Sequence, residues 1–275
     1  MNTQASGSES LFTSCFTVTR DNDVCSIAFK GMPQDLSGME LDALRKLWRF
    51  LMREYEHPSK VLLLQFNEGL FSSDKIAGML ENYGLYTSNG NSLNPGKDRA
   101  AYLEAFFLRE IHMTQRMVKW VLGIDDFTVS ALGGEMVLPL FGVPLACDYR
   151  IVSDDFVLIN KTNESVFSPM GGLPWFLTRI LGRSQTWKLL TGKTEVHAKE
   201  ALELGLVDQI VEKSMLAAES RRVADRIASL PWGCRVGLKR TMAAADEALD
   251  SYFRVEEDVF EKTVSRFGNT FNGNR

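Results

Sequence analysis

Residues 127–211 read FTVSALGGEMVLPLFGVPLACDYRIVSDDFVLINKTNESVFSPMGGLPWFLTRILGRSQTWKLLTGKTEVHAKEALELGLVDQIV, and this stretch decides the fold. It opens on an apolar run over 127–132, closed by Gly133-Gly134, which reads as a buried strand ending in a turn. An apolar segment follows and ends at Ala146-Cys147-Asp148. Residues 149–152 predict a second strand, Asp154-Asp155 a turn, and residues 156–159 a third strand. After the polar loop NKTNES, Ser168-Pro169-Met170-Gly171-Gly172 leads into a helix over 173–181, with Pro174 suited to its first turn. Gly182 stops that helix, Gly192 stops a second one over 184–190, and Gly205 a third over 198–204. Residues 206–211 predict another strand.

Working outward, residues 12–20 and 24–29 alternate as two strands with Asp21-Asn22-Asp23 as their turn. Leu41, Leu44, Leu47, Trp48 and Leu51 recur at helical spacing, and His57-Pro58 ends that helix. The continuous apolar run over 61–66 is typical of a strand buried on both faces. A long helix is predicted from 98 to 122, and its Phe106, Phe107, His112, Met113, Met117 and Trp120 read as core or pocket lining. Beyond residue 211 the pattern turns helical, over 216–230 and then from Arg235 to about 267 after a fresh start at Pro231. Leu249, Phe253, Val259, Phe260 and Val264 are the expected apolar contacts of the last helix.

Composition narrows the function classes. The chain has 275 residues, 45% of them hydrophobic, enough for one large core, and a formal net charge of −4. No clustered basic face suggests nucleic acid or an anionic membrane. No apolar run approaches the roughly 20 residues that span a bilayer. MNTQASGSES is polar and reads as a frayed tail rather than a secretory signal. Cys15, Cys25, Cys147 and Cys234 form no metal spacing and read as thiols of a reducing compartment. A soluble cytoplasmic protein is expected.

The runs ACDYRIVS, PMGGLPWFLTRILGRSQTWKLLTGK and AKEALELGLVDQIV resemble the crotonase (enoyl-CoA hydratase/isomerase) superfamily, colinearly from about residue 12 to 239. The resemblance implies an α/β fold, a spiral of β-β-α superhelical turns with a C-terminal helical part. It divides the chain into a tail over 1–11, the spiral core over 12–211 and a helical oligomerisation region over 212–275. It also implies a homotrimer or hexamer. The substrate would be an acyl thioester, on coenzyme A or a carrier protein, with coenzyme A entering only as part of the substrate and no metal or other cofactor.

In that superfamily two backbone N–H groups hold the thioester oxygen as negative charge grows on it. The family's F-x-A-G-A-D falls on Phe71-Ser72-Ser73-Asp74-Lys75-Ile76, which assigns one donor to the Lys75 N–H. The other falls on Pro139, which has no N–H, so Leu138 or Leu140 substitutes or the hole has one donor. An alternative register places the family's A-L-G-G on Ala131-Leu132-Gly133-Gly134 and needs a five-residue insertion. Pro144 should bend or delay the helix that follows.

The two catalytic glutamates of hydratases fall on Gly142 and Thr162, neither of which does carboxylate chemistry. The aspartate of some isomerases falls on Met170. Glu164 is the candidate displaced base, flanked by Asn160, Lys161 and Asn163. Glu135 follows the Gly pair and has two readings, lining the mouth of the site or, as is more usual, a surface turn, and His57, His112 and His197 are expected in structural or surface roles. Phe71, Ser72, Ser73, Ile76, Phe107 and Met170 are the expected substrate contacts. The family's C-terminal E-G-x-x-A-F-x-x-K-R run is replaced by SRFGNTFNGNR, which alters the expected contacts to the coenzyme A adenine and 3′-phosphate.

These features favour a divergent enzyme that stabilises an enolate, an isomerase, lyase or hydrolase rather than a two-glutamate hydratase. The alternative is a catalytically degenerate homologue that acts as a binding or assembly module.

Overall fold

The computed structural model describes residues 10–12, 16–30, 59–66, 72–74, 111–112, 114–160, 169–243 and 249–272. Among the described residues, ten strands form two sheets. Strands β1 (Ser10–Phe12), β2 (Phe16–Asp21), β3 (Val24–Phe29), β4 (Val61–Phe66), β5 (Phe127–Leu132), β7 (Tyr149–Ser153) and β10 (Gln209–Val211) lie side by side in that order. Strands β6 (Glu135–Val137), β8 (Val157–Ile159) and β9 (Glu195–His197) make the smaller sheet. β1, β2 and β3 pair antiparallel, while β3, β4, β5, β7 and β10 run parallel.

The superhelical turn is visible in the order of sheets. β5 of the large sheet passes through Gly134 (φ 68°) into β6 of the small one, then into helix α2 (Gly142–Ala146). β7 passes through the Asp154-Asp155 turn into β8, and on to helix α3 (Leu173–Gly192). Each turn therefore contributes one strand to each sheet and one helix outside, the β-β-α repeat expected of the crotonase fold.

Period-two alternation explains the layering. Leu62, Leu64 and Phe66 of β4 enter the main core, which also holds Val118 and Val121 of helix α1 (residues 114–123). Val61 and Leu63 face the opposite way, with Val129, Ala131 and Ile151. That second face is covered by helix α5 (Leu216–Ala228) through Val223, Ala224, Ile227 and Ala228, one apolar stripe of a helix whose other faces carry its arginines.

The family's signature runs hold this frame together. Asp148 Oδ2 accepts the Thr128 N–H (2.8 Å), the Thr128 hydroxyl (2.7 Å) and the Lys239 ammonium (2.9 Å). Lys239 is 7% exposed and spends its other two donors on the carbonyls of Val121 (3.2 Å) and Asp126 (2.8 Å). Arg150 pairs with Asp208 at 2.8 Å, so ACDYRIVS and GLVDQIV meet in one ion pair between β7 and the entry to β10.

Several boundaries differ from the sequence expectation. Asp21 pairs with Val24, so the hairpin turn is Asn22-Asp23, with Asn22 at φ 52°. β8 begins at Val157, and β10 covers only Gln209–Val211 because Leu206 and Val207 are buried in the connection from helix α4 (Ala198–Glu203). Gly182 (φ 74°, ψ 160°) breaks α3 where a stop was expected. Within the helix expected from Arg235 to about 267, the described residues form a π-turn (Gly233–Gly237), helix α6 (Leu238–Ala243) and helix α7 (Leu249–Asn272). The helix predicted near 41–55 lies outside the described residues.

Candidate functional site

The site grows from the carboxyl ends of two neighbouring parallel strands. Phe66 of β4 pairs with Leu132 of β5, so the chain leaves both strands side by side. The segment after β4 contains Ser72, Ser73 and Asp74, and the one after β5 becomes β6. They meet where the Ser73 N–H donates to Glu135 Oε1 at 2.6 Å. Glu135 is therefore not the surface-turn residue that its place after the Gly pair suggested: it opens β6, half-buried, and clasps the segment expected to bind the thioester oxygen.

From β6 the chain enters a 3₁₀ turn (Leu138–Leu140) with Pro139 in its first turn, where a missing N–H costs no helical bond. The Phe141 N–H closes the turn onto the Leu138 carbonyl at 3.0 Å. Pro144 neither delays nor prevents α2, which starts at Gly142 and is only five residues long. A strand, a tight turn and a short helix thus occupy the stretch onto which the gap-free register reads the family's N-G-x-A-L-G-G-G-C-E-L run.

Gly142 is closed to any side chain. A Cβ built there would lie 2.2 Å from the Gly171 carbonyl oxygen. Gly171 is in turn pressed on α1, since its own Cβ would lie 2.6 Å from Thr114 Cγ2. The backbone of the 171–172 turn thus fills the space a side chain at residue 142 would need. Met170, 8% exposed, accepts the Leu173 N–H on its carbonyl at 3.4 Å and is buried beside this contact.

A carboxylate that the sequence did not flag lies next to this turn. Glu256 of α7 accepts the Gly172 N–H at 2.9 Å, the Gln115 amide at 3.0 Å and the Tyr252 hydroxyl at 3.2 Å. Burial pushes its carboxyl above the ordinary glutamate value, against the lowering effect of these donors. The Tyr252 hydroxyl is pushed up too, first by burial and then by the neighbouring Glu256 charge. Nothing at sequence level separates Glu256 from Glu257 beside it, and Glu135 is 62 positions from Ser73. Only the parallel pairing of β4 and β5 offered a signal for the second contact.

Of the expected site residues, Ser72, Ser73, Leu138, Pro139, Gly142 and Met170 are brought to this region, while Phe71, Lys75, Ile76, Phe107, Thr162 and Glu164 lie outside the described residues. Asn160 is structural, its amide donating to the carbonyls of Leu189 (2.7 Å) and Lys193 (2.7 Å) at the end of α3. His112 and His197 are exposed and lie near Glu257 (3.9 Å) and Glu195 (3.4 Å). Cys147 is buried, and burial raises its thiol to about 12, so it is no nucleophile. Among the described residues no cluster of three His, Cys, Asp or Glu is placed to hold a metal, and no helix is long and apolar enough to cross a membrane.

With this geometry in view, comparison with known proteins is informative. A family model described as enoyl-CoA hydratase/isomerase matches residues 112–269, more than half of the chain. Ethylmalonyl-CoA decarboxylase of Mus musculus is 28% identical over 158 residues, covering 51% of this chain and 49% of that protein. A 4-chlorobenzoyl coenzyme A dehalogenase of an Arthrobacter species is 24% identical over 205 residues, covering 70% and 72%. The chain spans about half the length of the ethylmalonyl-CoA decarboxylases it matches. The crystal structure of an enoyl-CoA hydratase from Bacillus halodurans superposes with a TM-score of 0.70 at 21% identity, over 95% of this chain and 100% of that one, a likeness of fold. A β-β-α spiral frame, signature runs that tie it together, and a matching family model over 112–269 place the chain in the enoyl-CoA hydratase/isomerase family.

Proposed function

We propose that the protein binds an acyl thioester of coenzyme A or of a carrier protein and forms its enolate by loss of CO₂ from a 2-carboxyacyl group. The single observation that carries this reading is the closure of Gly142 by the Gly171 carbonyl, 2.2 Å from where a Cβ would be. Hydration needs a base to activate water and an acid to protonate carbon, and the loss of such a partner typically costs about 10²–10⁴-fold. Decarboxylation needs no base. The electrons of the Cα–carboxylate bond pass into the enolate, CO₂ departs, and Cα then takes a proton from water or from the 161–164 loop, where Thr162 and Glu164 are the candidates.

The role left to this chain is to hold the developing enolate oxygen. The Lys75 N–H and its neighbours after β4 are assigned to it, with Glu135 steadying that segment through Ser73. The Mus musculus relative carries the name of a decarboxylase of a 2-carboxyacyl coenzyme A, which supports this choice among the reactions of the family. Assembly as a homotrimer or hexamer, and a cytoplasmic site of action, belong to the same proposal.

Pro139 favours a second reading, a degenerate member that binds thioesters or serves assembly without turnover, since the usual second donor is missing. CO₂ release from malonyl-, methylmalonyl- and ethylmalonyl-CoA separates the two. Turnover with incorporation of one solvent deuteron at Cα in D₂O supports the decarboxylase. A thioester that raises the melting temperature without any CO₂ release supports the silent binder. If no thioester shifts the melting temperature, both thioester readings fail.

A further inference from the structure

Leu249, Phe253 and Glu256 share one face of α7 and enter the core together, at 8%, 1% and 6% exposure. Two are apolar and the third is a carboxylate, so the third needs an account. Glu256 Oε1 receives the Gly172 N–H and the Tyr252 hydroxyl, and Oε2 receives the Gln115 amide. Three donors from three places converge on one group: the 171–172 turn, α1 and α7 itself. A carboxylate suits this convergence because it offers acceptors without presenting a donor of its own. Gly172 follows the residue whose carbonyl closes Gly142, and the Phe253 ring lies 3.4 Å from where a Gly172 Cβ would be.

We infer that Glu256 is a positioning residue, through which the C-terminal helix holds the Gly171-Gly172 turn against Gly142 and so shapes the wall of the thioester site. The functional consequence rests on the thioester reading above, while the contact itself does not. Among the described residues, the groups facing Glu256 are Tyr252, Gln115 and the turn amides. The ion pairs Lys119–Asp250 (2.7 Å) and His112–Glu257 (3.9 Å) that also involve α7 are both exposed. Burial favours the protonated carboxyl. A proton on Oε2 is matched if Gln115 turns its amide, so the Gly172 contact to Oε1 does not require the ionised form.

The test uses the full chain and the variants Glu256→Ala and Glu256→Gln. Hydrogen exchange is followed by mass spectrometry over residues 170–176, and acetyl-CoA affinity between pH 4.5 and 8. Glu256→Ala leaves the Gly172 N–H without its partner, so exchange in the turn should speed by roughly tenfold or more. Glu256→Gln keeps an oxygen for Gly172, and Gln115 can turn its amide to match, so protection should stay within a few-fold of wild type. Acetyl-CoA affinity should fall in Glu256→Ala and return in Glu256→Gln when compared at the same pH, a rescue that loss of packing alone does not give. The inference is overturned if Glu256→Ala exchanges like wild type, if Glu256→Gln exchanges like Glu256→Ala, or if Glu256→Ala binds acetyl-CoA as tightly as wild type. Should Glu256→Ala fail to fold, the glutamine variant decides alone. If wild type binds no acetyl-CoA at any pH, the thioester reading fails and the exchange comparison still decides this one.

Discussion

Asp148 and Gly142 belong to one run of sequence, yet the regions around them have opposite characters. Asp148 matches its family motif and is satisfied as a structural group, with Thr128 and the buried Lys239 on one oxygen. Gly142 departs from its family motif and leaves no room for the residue the motif would supply. The frame that identifies the family has been kept, while the position to which the resemblance assigns a hydratase carboxylate holds a glycine with no room for one. Fold membership alone therefore does not carry a reaction.

The most drastic way to break the frame is Lys239→Ala. It leaves the Val121 and Asp126 carbonyls without their buried donor and takes one of three donors from the partly exposed Asp148 carboxylate, and we expect a loss of about 2–4 kcal/mol in urea unfolding. A loss under 1 kcal/mol would mean that the network is not what holds the C-terminal part to the sheet.

The site half of the comparison is sharpened by Gly142→Ala and Gly142→Glu. The alanine should cost about 1–3 kcal/mol, because its methyl meets the Gly171 backbone rather than a flexible side chain. The glutamate should be costlier and confer no hydration of crotonyl-CoA. A stable Gly142→Glu protein with hydratase activity would show that the turn yields and that the closure is not fixed.

Glu135→Ala should cost about 0.5–1.5 kcal/mol, the worth of one ordinary hydrogen bond, with most of that recovered in Glu135→Gln. Thioester affinity should follow the same order, measured by calorimetry. Equal affinities in all three proteins would remove Glu135 from the site.

The smallest effect at neutral pH has the most distinctive shape. The folded-state pKa of Glu256 is raised above 4.5, so its favourable contribution is complete below that value and declines as pH rises through the raised one. Glu256→Gln has no such group. Its stability relative to wild type should improve steadily as the pH is taken up from 4.5. A constant difference across the range would contradict the burial of a titrating carboxyl at this place.

Most of the frame was legible because it is written locally. The apolar runs at Val61–Phe66 and Phe127–Leu132 predicted their strands residue for residue. Gly182 and Gly205 marked helix ends through a backbone that only glycine adopts freely. Gly142 was legible as a missing carboxylate, but not as a closed space, because the closing atom belongs to Gly171 on a distant turn. The partner of Glu135 and the role of Glu256 were not legible for the same reason. Each is an ordinary acidic residue in its own neighbourhood and acquires a role only from partners 62 and 84 positions away. Long-range contacts of polar residues leave no periodicity to read, whereas burial of apolar ones does.

Under the proposed function, the protein forms enolates without paired carboxylates and does not hydrate crotonyl-CoA. The direct measurement is turnover by one preparation on ethylmalonyl-CoA and on crotonyl-CoA, side by side. The account predicts CO₂ release from the first and no measurable hydration of the second. Hydration of crotonyl-CoA at about 1–10³ per second, the ordinary range of enzymes, with no CO₂ released from ethylmalonyl-CoA, would contradict it.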